Sequence, residues 1–573
     1  MRCSGLLIGL AALLLVAACD DDTSVGDGPL GDGKIDVAGR DGGLDRGPPD
    51  STLDHGPSAE MSAPDGAIDA GDAALPDTMP PDTMPPDQVN TASGPVKGTV
   101  GTASRVFLGI PYAAPPVGPL RFKPPQPPAP WTQPLNATQF GHICPQTAIA
   151  GLAAPPGTES EDCLTLNVWT PYPVPATPAP VMVWIHGGGH VLGATTNPTY
   201  DGKNLAEKRG VVFVSFNYRL GPLGWIAHPA LGSPSGNYGM MDQQAALKWV
   251  KANIAGFGGD PANVTIFGES AGGVSVCTHI ASPAASGLFH RAAMQSGTCL
   301  TKAPTLAEAE AQGQQLAQAV SCDTAADVAA CLRGKSTADL IGALPLKSGV
   351  IFGQGVSWGP IIDNALLPDQ PLKRVEAGTF NKVPVLLGTN GDEGTLFVVA
   401  AKLLLLTQGL YETLVKLTFF PDGNQVLALY PASAYSSPAA ALADLLGDGC
   451  FVCPTRQTAR ALSTGGVSTH LYSFTRVPAS VSQPFLGCYH GAELPFVFDT
   501  PAAPWSTGEG ALSAAMTGYW TRMAAAGDPN GAGATAWPSH AQATDAHLQL
   551  DLTVAAGAAL RKAQCDFWDT ILP

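Results

Sequence analysis

The stretch that decides the fold reads Asn263-Val264-Thr265-Ile266-Phe267-Gly268-Glu269-Ser270-Ala271-Gly272. Its first half is apolar and β-branched, which predicts a buried strand, and the small residues after it can begin a helix. A strand that passes through a tight, glycine-flanked turn into a helix lifts the serine hydroxyl clear of the sheet and directs the helix N-terminus towards it. The stretch therefore predicts a nucleophilic serine at position 270.

A second glycine cluster follows another apolar run. His186-Gly187-Gly188-Gly189-His190 comes directly after residues 181–185. Glycine allows the backbone to approach a ligand closely, so N–H groups there can point towards a developing oxyanion. This second cluster matters because a G-x-S-x-G pattern arises easily in a chain with 66 glycines. We assign the flanking histidines, His186 and His190, no catalytic role.

Apolar runs alternate with helical patterns along the chain. Runs typical of strands covered on both faces occupy residues 181–185, 211–217, 263–267, 292–295, 383–387 and 470–474. Between them, segments such as 242–257 repeat apolar side chains at helical spacing. This alternation predicts an α/β fold with a mostly parallel central sheet and helices on both faces. The Ala- and Leu-rich segments 305–345 and 398–465 predict helical insertions that cap the site.

Composition divides the chain into three parts. Residues 1–92 carry 17 acidic and 4 basic side chains, a net charge of −13, whereas residues 93–573 carry 30 and 26, a net charge of −4. We predict a signal peptide over residues 1–18, a disordered tether rich in Asp, Pro and Gly over 19–88, and one folded domain over 89–573. The nearly neutral domain lacks the clustered Lys and Arg of a nucleic-acid surface, so we expect no nucleic-acid partner.

The first residues predict export. Arg2 precedes an apolar run, residues 6–16, that is too short to span a bilayer stably. Small residues then lead to Cys19 and resemble a bacterial lipobox, in which the cysteine is lipidated and becomes the mature N-terminus. An ordinary signal peptide cleaved nearby is the alternative, but the polar tether after Cys19 favours lipidation. We expect a lipoprotein of a bacterial cell envelope, at the outer membrane or cell surface, with the leaflet left open.

A serine hydroxyl is a poor nucleophile near neutral pH, so Ser270 needs a base, and the base needs a carboxylate to orient it. In serine hydrolases built on such a sheet, the three follow in the order nucleophile, acid, histidine. Asp392 and Glu393 lie in the loop after the run 383–387, and His490 lies in a glycine-flanked loop further on. From position alone, either carboxylate can be the acid.

With these residues in view, the chain resembles the type-B carboxylesterase/lipase family, which includes the cholinesterases. The resemblance covers essentially all of residues 89–573, and its motifs occur in the family's order. They lie at residues 107–112, 161–168, 186–189, 217–221, 237–239 with 242–243, 257–261, 268–272, 392–394 and 490–493. The implied architecture is the α/β-hydrolase fold with helical cap insertions.

The resemblance implies a catalytic triad. Ser270 is the nucleophile, His490 is the general base and then the general acid, and Glu393 is the carboxylate that orients the histidine. This assignment leaves Asp392 a structural role. Glu269 either adds negative potential beside the nucleophile or is a turn residue held by local hydrogen bonds, and the sequence does not decide between the two.

The same resemblance implies an oxyanion hole. Its donors are the backbone N–H groups of Gly188, Gly189 and Ala271, and each such donor is typically worth about 3–4 kcal/mol of transition-state stabilisation. Chemistry agrees, because such donors lie on the residue after the nucleophile and on a glycine loop from an earlier strand. Ser296 matches a family serine that lies beside the acid.

The cysteines predict disulfides, because an exported chain meets an oxidising compartment. The family pattern pairs Cys144 with Cys163 and Cys322 with Cys331. Cys277, in the helix behind the nucleophile, is interpreted as a buried apolar residue. These assignments leave the pairing of several others open, namely Cys299, Cys450, Cys453, Cys488 and Cys565.

Cys450 and Cys453 have C-x-x-C spacing. No second pair of this kind and no His pair accompanies them, so we expect no zinc site. A bridge from this pair to Cys488, which precedes His490 by two residues, is a hypothesis.

Together these observations predict a serine-type carboxylic-ester hydrolase that acts through an acyl-enzyme, with no cofactor and no metal. The loop from Cys144 to Cys163 contains no aromatic residue, whereas cholinesterases of this family carry a tryptophan there that stacks on the quaternary ammonium. We therefore expect short to medium acyl esters as the small-molecule partner, and a membrane partner through the lipid anchor. The competing hypothesis is a non-catalytic adhesion or binding protein of the same fold, and the filled triad favours the enzyme.

Overall fold

The computed structural model of the chain describes residues 85–149, 154–346 and 356–571. The predicted signal peptide, Cys19 and the tether up to residue 84 lie outside the described residues. The strands, numbered along the chain, are β1 (Gln88–Thr91), β2 (Gly94–Lys97), β3 (Thr99–Val100), β4 (Ser104–Pro111), β5 (Leu135–Asn136), β6 (Thr165–Pro171), β7 (Ala179–Ile185), β8 (Val212–Phe216), β9 (Gly259–Glu269), β10 (Arg291–Gln295), β11 (Val385–Asn390), β12 (Thr469–Phe474), β13 (Ala546–Leu550) and β14 (Ala555–Ala558).

The central sheet is large and mostly parallel. Within the described ranges it has 11 strands in the order β14-β13-β12-β11-β10-β9-β7-β8-β6-β4-β3, and β1, β2 and β5 form a separate small sheet. The strands from β8 across to β13 pair in parallel. Antiparallel pairings add β6, β4 and β3 at one edge and β14 at the other. Parallel neighbours need crossover connections, and helices supply them.

The helices connect and cover these strands. Numbered along the chain, they are α1 (Lys203–Arg209), α2 (Gly221–Trp225), α3 (Tyr238–Asn253), α4 (Ala271–Ala281), α5 (Leu306–Ala319), α6 (Val328–Gly334), α7 (Thr337–Gly342), α8 (Pro371–Glu376), α9 (Thr395–Ala400), α10 (Gln408–Thr418), α11 (Gly423–Leu429), α12 (Pro438–Gly447), α13 (Cys453–Thr464), α14 (Leu494–Phe498), α15 (Glu509–Ala526) and α16 (Lys562–Ile571). A π-helical segment, Asp448–Val452, joins α12 to α13. No helix in the described ranges has the length and apolar character needed to cross a membrane.

Strand β7 shows how the sheet separates two cores. Its side chains alternate between faces, as the period of a strand requires. Val181 and Val183 pack into a core that also holds residues of α3, α4 and α13. Met182 and Trp184 pack into a second core with residues of α1 and α15. Helices therefore cover both faces, which confirms the predicted α/β-hydrolase architecture.

The predicted elements are present with shifted ends. Strand β11 extends to Asn390 because its parallel pairing with β12 continues to the partner Phe474. The helix predicted over 242–257 begins at Tyr238 as α3, and residues Ile254–Phe257 continue it as a 3-10 turn. The segment predicted as helical over 398–465 holds α10 to α13 and builds a third core with Leu414, Tyr430 and Leu446.

Two predicted disulfides are present, and one cysteine prediction is wrong. Cys144 is bonded to Cys163, and Cys322 is bonded to Cys331. Cys277 is not a simple apolar residue, because it forms a disulfide with Cys299 across a Cα–Cα distance of 5.4 Å. Helix α4 packs over β10, so its Cys277 meets the loop that leaves this strand at Cys299.

The hypothetical bridge to Cys488 is also wrong. Cys453 instead forms a disulfide with Cys565 of α16, at a sequence separation of 112 residues. Cys488 keeps its thiol, which donates a hydrogen bond to the Phe474 carbonyl at 2.9 Å. Burial raises the pKa of this thiol well above its ordinary value, which favours the protonated thiol over the thiolate.

Candidate active site

The carboxyl ends of neighbouring strands bring the predicted site residues together. Gly188 and Gly189 follow β7, Ser270 follows β9, Ser296 follows β10 and Glu393 follows β11, and these strands are adjacent in the sheet. In open α/β sheets, ligands bind at this edge. The sheet order thus gathers residues that are more than 200 positions apart in the sequence.

The turn that carries Ser270 is strained and tightly packed. Ser270 has φ 57° and ψ −124° between β9 and α4, a backbone conformation that costs about 1–3 kcal/mol for a non-glycine residue. A Cβ atom at Gly272 would lie 2.0 Å from the Ile185 carbonyl oxygen, and one at Gly268 would lie 2.6 Å from Gly272 C. The flanking glycines are therefore needed so that the turn can sit against the end of β7.

The glycine loop after β7 lies directly beside this turn. A Cβ atom at Gly187 would lie 2.7 Å from the Glu269 carbonyl oxygen and 3.1 Å from Ser270 Cβ. Three backbone N–H groups, those of Gly188, Gly189 and Ala271, donate no hydrogen bond to any other residue that the structure describes. Such N–H groups at a helix N-terminus and on a glycine loop can stabilise a negatively charged oxygen.

His490 is oriented by Glu393. Its Nδ1 donates to Glu393 Oε2 at 2.6 Å, and both side chains are buried. The other oxygen of Glu393, Oε1, accepts hydrogen bonds from Ser296 Oγ at 2.5 Å and from the Asn390 N–H at 2.7 Å. A carboxylate held this way orients the imidazole and keeps a proton on Nδ1.

Asp392, the other carboxylate considered, has a different partner. Its Oδ2 accepts the Cys488 N–H at 2.7 Å, and its backbone N–H donates to the Cys488 carbonyl at 3.0 Å. These bonds join the loop after β11 to the loop that carries His490. Asp392 therefore holds the two loops together, while Glu393 contacts the imidazole.

Glu269 faces Nε2 of His490, the ring nitrogen that Glu393 does not contact. His490 Nε2 is 3.1 Å from Glu269 Oε1, and neither atom has a hydrogen bond among the described residues. The structure thus places the serine's neighbour, rather than the serine hydroxyl, against Nε2. Its Oε1 is buried and makes no hydrogen bond within the turn, so the observed contact of this oxygen is the one with the imidazole.

Buried carboxylates surround His490 and set its charge. Burial alone lowers its pKa, but Glu269, Glu393 and Glu493 together raise the pKa of His490 above the ordinary value. Burial raises the pKa of Glu269, and the neighbouring Glu393 and Glu493 add to this effect, while His490 opposes it. The site therefore stabilises a positively charged imidazole, which is the state that forms when histidine accepts a proton.

Sequence reasoning left out two features of this environment. Glu493 is fully buried and accepts hydrogen bonds from Gln295 Nε2 at 2.9 Å and Asn390 Nδ2 at 2.6 Å. The aromatic ring of Phe451 lies 4.7 Å from the ring of His490. Glu493 lies three residues after His490 in the same loop, and this short spacing could have indicated that the two side chains are close. Nothing in the sequence around Phe451 indicates that its ring lies against His490.

Residues suited to metal binding are not grouped here. Among the described residues, no cluster of three or more His, Cys, Asp or Glu side chains is arranged to hold a metal ion. Cys453 of the C-x-x-C pair is in a disulfide, which removes it as a thiolate ligand.

Comparison with known proteins agrees with this architecture. The sequence profile of the "Carboxylesterase family" matches residues 85–568. The chain is also 35% identical to the protein named "Cholinesterase" of Mus musculus over 528 residues, which cover 85% of this chain and 87% of that protein. The chain belongs to the carboxylesterase family. This membership supports hydrolysis of carboxylic esters as its activity, in agreement with the fold and the buried histidine–glutamate pair.

Proposed function

We propose that the protein is a serine esterase that hydrolyses short to medium acyl esters through a covalent acyl-enzyme. One observation carries most of the support, namely the His490 imidazole bonded to buried Glu393 beside the strained turn of Ser270. The turn costs free energy in the folded state, and such strain is retained where function requires it. Exposure of the serine at a helix N-terminus is what an acyl-transfer nucleophile needs.

The proposed reaction begins when Ser270 Oγ attacks the ester carbonyl carbon. The hydroxyl proton passes to His490 Nε2, a bond forms from Oγ to carbon, and the carbonyl oxygen becomes an oxyanion. The N–H groups of Gly188, Gly189 and Ala271 stabilise that charge. The oxyanion then collapses, the bond to the alkoxy group breaks, and the leaving alcohol takes the proton from the imidazole.

Water completes the cycle. It attacks the acyl carbon and gives its proton to His490 Nε2, and collapse of the second oxyanion breaks the bond to Ser270 Oγ. Ser270 Oγ takes the proton back from His490 Nε2, and the carboxylic acid leaves. Nε2 faces Glu269 Oε1 at 3.1 Å, so the proposed first step requires the imidazole to turn towards the serine hydroxyl while Nδ1 keeps its bond to Glu393.

The composition of one disulfide loop bears on the alcohol part of the ester. The loop between Cys144 and Cys163 contains no aromatic side chain to stack on a quaternary ammonium, which argues against a choline ester although a relative is named cholinesterase. A panel of p-nitrophenyl esters from acetate to decanoate, with acetylcholine alongside, tests this proposal. We expect kcat/KM to peak at a short or medium acyl chain and to be much lower for acetylcholine.

The decisive test is Ser270→Ala with Ser286→Ala as the matched control. Ser286 is an exposed serine a few residues after α4, so its loss should leave hydrolysis unchanged. Ser270→Ala should lower kcat by at least about 10⁴-fold, because the nucleophile is lost while substrate binding remains. A fluorophosphonate should label the Ser270 peptide in wild-type protein. Hydrolysis that survives in Ser270→Ala, or label on another peptide, would refute the mechanism.

We also propose that the protein is exported and anchored to a membrane of a bacterial cell envelope through a lipid on Cys19. This residue lies outside the described residues, and the support is the sequence pattern around it. Cys19→Ser should move the protein from the membrane to the soluble fraction, whereas Cys3→Ser, which changes a cysteine inside the predicted signal, should not. Equal distribution of wild type and Cys19→Ser would contradict the anchor.

A further inference from the structure

His190, to which the sequence assigned no role, has a fixed position directly after Gly188 and Gly189. It is 5% exposed, and its carbonyl accepts the Gly221 N–H at 2.8 Å. Its ring lies 4.9 Å from the ring of Trp225, measured between centroids. The oxyanion loop therefore ends in a side chain that is packed inside the protein.

The His190 ring reaches the helix that carries Ala271. Its Nε2 lies 3.0 Å from Ser275 Oγ, and Ser275 is one helical turn beyond Ala271 on α4. Gln243 of α3 donates from Nε2 to the same hydroxyl at 3.1 Å, and His279 Nε2 lies 2.9 Å from Gln243 Oε1. All four of these side chains are buried, so the contact belongs to a continuous polar network without competing solvent.

The imidazole in this network is neutral. Burial, with a smaller contribution from His186, lowers the pKa of His190 to about 3, although a hydrogen bond with the Ala271 backbone raises it. Burial therefore favours an uncharged ring near neutral pH. The neutral His190 ring adds no charge to the oxyanion site. Any effect of this ring on catalysis must therefore come from the way it positions the backbone donors.

We propose that His190 is a positioning residue that holds the two halves of the oxyanion hole in register. The inference rests on the proposed ester hydrolysis. Two of the donors, Gly188 and Gly189, are on the loop after β7, and the third, Ala271, is on α4. The hydrogen bond from His190 to Ser275 connects these segments. Donors stabilise an oxyanion only when they are held close to the productive geometry, so loosening one segment should weaken transition-state binding more than substrate binding.

The test compares His190→Phe with wild type. Phenylalanine keeps the aromatic volume and removes both ring nitrogens. We expect kcat to fall about 10- to 100-fold while KM changes by less than about two-fold, because the lost interaction acts in the transition state. The inhibition constant of an alkyl trifluoromethyl ketone, whose adduct with the serine carries an oxyanion, should rise by a similar factor.

Partner variants separate positioning from general loss of structure. Ser275→Ala should also lower kcat, and the loss in the double variant should be smaller than the product of the two single losses, since both changes remove the contact between His190 and Ser275. His190→Gln can present an amide nitrogen near the position of Nε2 and should recover part of the loss. His540→Phe is the matched control, because it removes another buried histidine with one backbone hydrogen bond, in the loop before β13.

The outcomes are distinct. If His190→Phe and Ser275→Ala keep kcat and ketone affinity within about two-fold of wild type, the proposal is overturned. A lower melting temperature with unchanged kcat per phosphonate-titrated site overturns it as well, because that pattern indicates stability alone. Should His190→Phe not fold, Ser275→Ala and His190→Gln carry the same test. Wild-type protein without Ser270-dependent hydrolysis would instead reject the proposed function, before any variant is compared.

Discussion

His490 Nε2 lies 3.1 Å from Glu269 Oε1, so the residue before the serine contacts the base. The opposite edge of the same ring donates to Glu393. The imidazole is therefore held between two buried carboxylates, and each favours its charged form. The balance between charged and neutral imidazole sets the pH range in which the base can accept a proton.

Glu269→Gln should extend activity to lower pH. His490 must be neutral to accept the serine proton, so kcat/KM rises as the pH increases through the pKa of His490. Because Glu269 raises that pKa, its replacement should move the acid limb of the profile down by about one pH unit. The pH dependence of kcat/KM measures this, with the exposed Glu376→Gln as the control. An unmoved acid limb would show that Glu269 does not act on the base.

Ser296→Ala should slow catalysis without abolishing it. The hydroxyl donates to Glu393 Oε1 at 2.5 Å, and the Asn390 N–H donates to the same oxygen at 2.7 Å. A hydrogen bond to a charged group contributes about 1.5 kcal/mol or more, which corresponds to roughly 10-fold in kcat. Steady-state kinetics on one ester, with Ser286→Ala alongside, checks this. A loss as large as that of Ser270→Ala would contradict a supporting role.

Asp242→Asn should destabilise the fold strongly. Arg219 donates to this carboxylate from its backbone N–H at 3.1 Å, from Nε at 2.7 Å and from Nη2 at 2.7 Å, and both side chains are buried. Neutralising one partner leaves a buried, uncompensated charge, which costs about 3–5 kcal/mol. Denaturant unfolding measures the difference. Lys416→Met, which breaks an exposed pair with Glu412, should leave the midpoint unchanged.

Gly272→Ala should disrupt the turn that carries Ser270. The new Cβ atom would lie 2.0 Å from the Ile185 carbonyl oxygen, so β7 or α4 must move. We expect kcat/KM to fall by about 100-fold or more, because small displacements of catalytic groups are costly. Gly409→Ala, where a Cβ atom meets no neighbour, is the matched substitution and should be tolerated. Equal activity in both variants would contradict the close packing.

The strand and turn around Ser270 could be read from the sequence because their determinants are local. The apolar run at residues 263–267 specifies the strand. Gly268 and Gly272, which flank Ser270, specify the sharp turn. The order of the strands could not be obtained in this way, since it depends on which crossovers pack on which face. Family resemblance supplied the pairing of Glu393 with His490 where chain position left Asp392 open.

Other features depend on contacts between distant segments and gave no local signal. Cys453 and Cys565 are separated by 112 residues, and a cysteine's partner cannot be deduced from composition. Cys277 looked apolar because its helix is apolar, while its partner lies in the loop after β10. The sequence shows His190 only as a histidine beside a glycine run. Its proposed role depends on contact with Ser275, which lies one turn into α4 and is 85 residues away in the sequence.

The disulfide of Cys453 with Cys565 also has a consequence for biosynthesis. Helix α16 is the last element of the described chain, and its Trp568 packs into the same core as Phe451, whose ring lies against the imidazole of His490. A nascent polypeptide still lacking this helix leaves the aromatic support of the base incomplete. We therefore expect hydrolytic competence to arise only after this helix has emerged from the ribosome and Cys565 has bonded to Cys453.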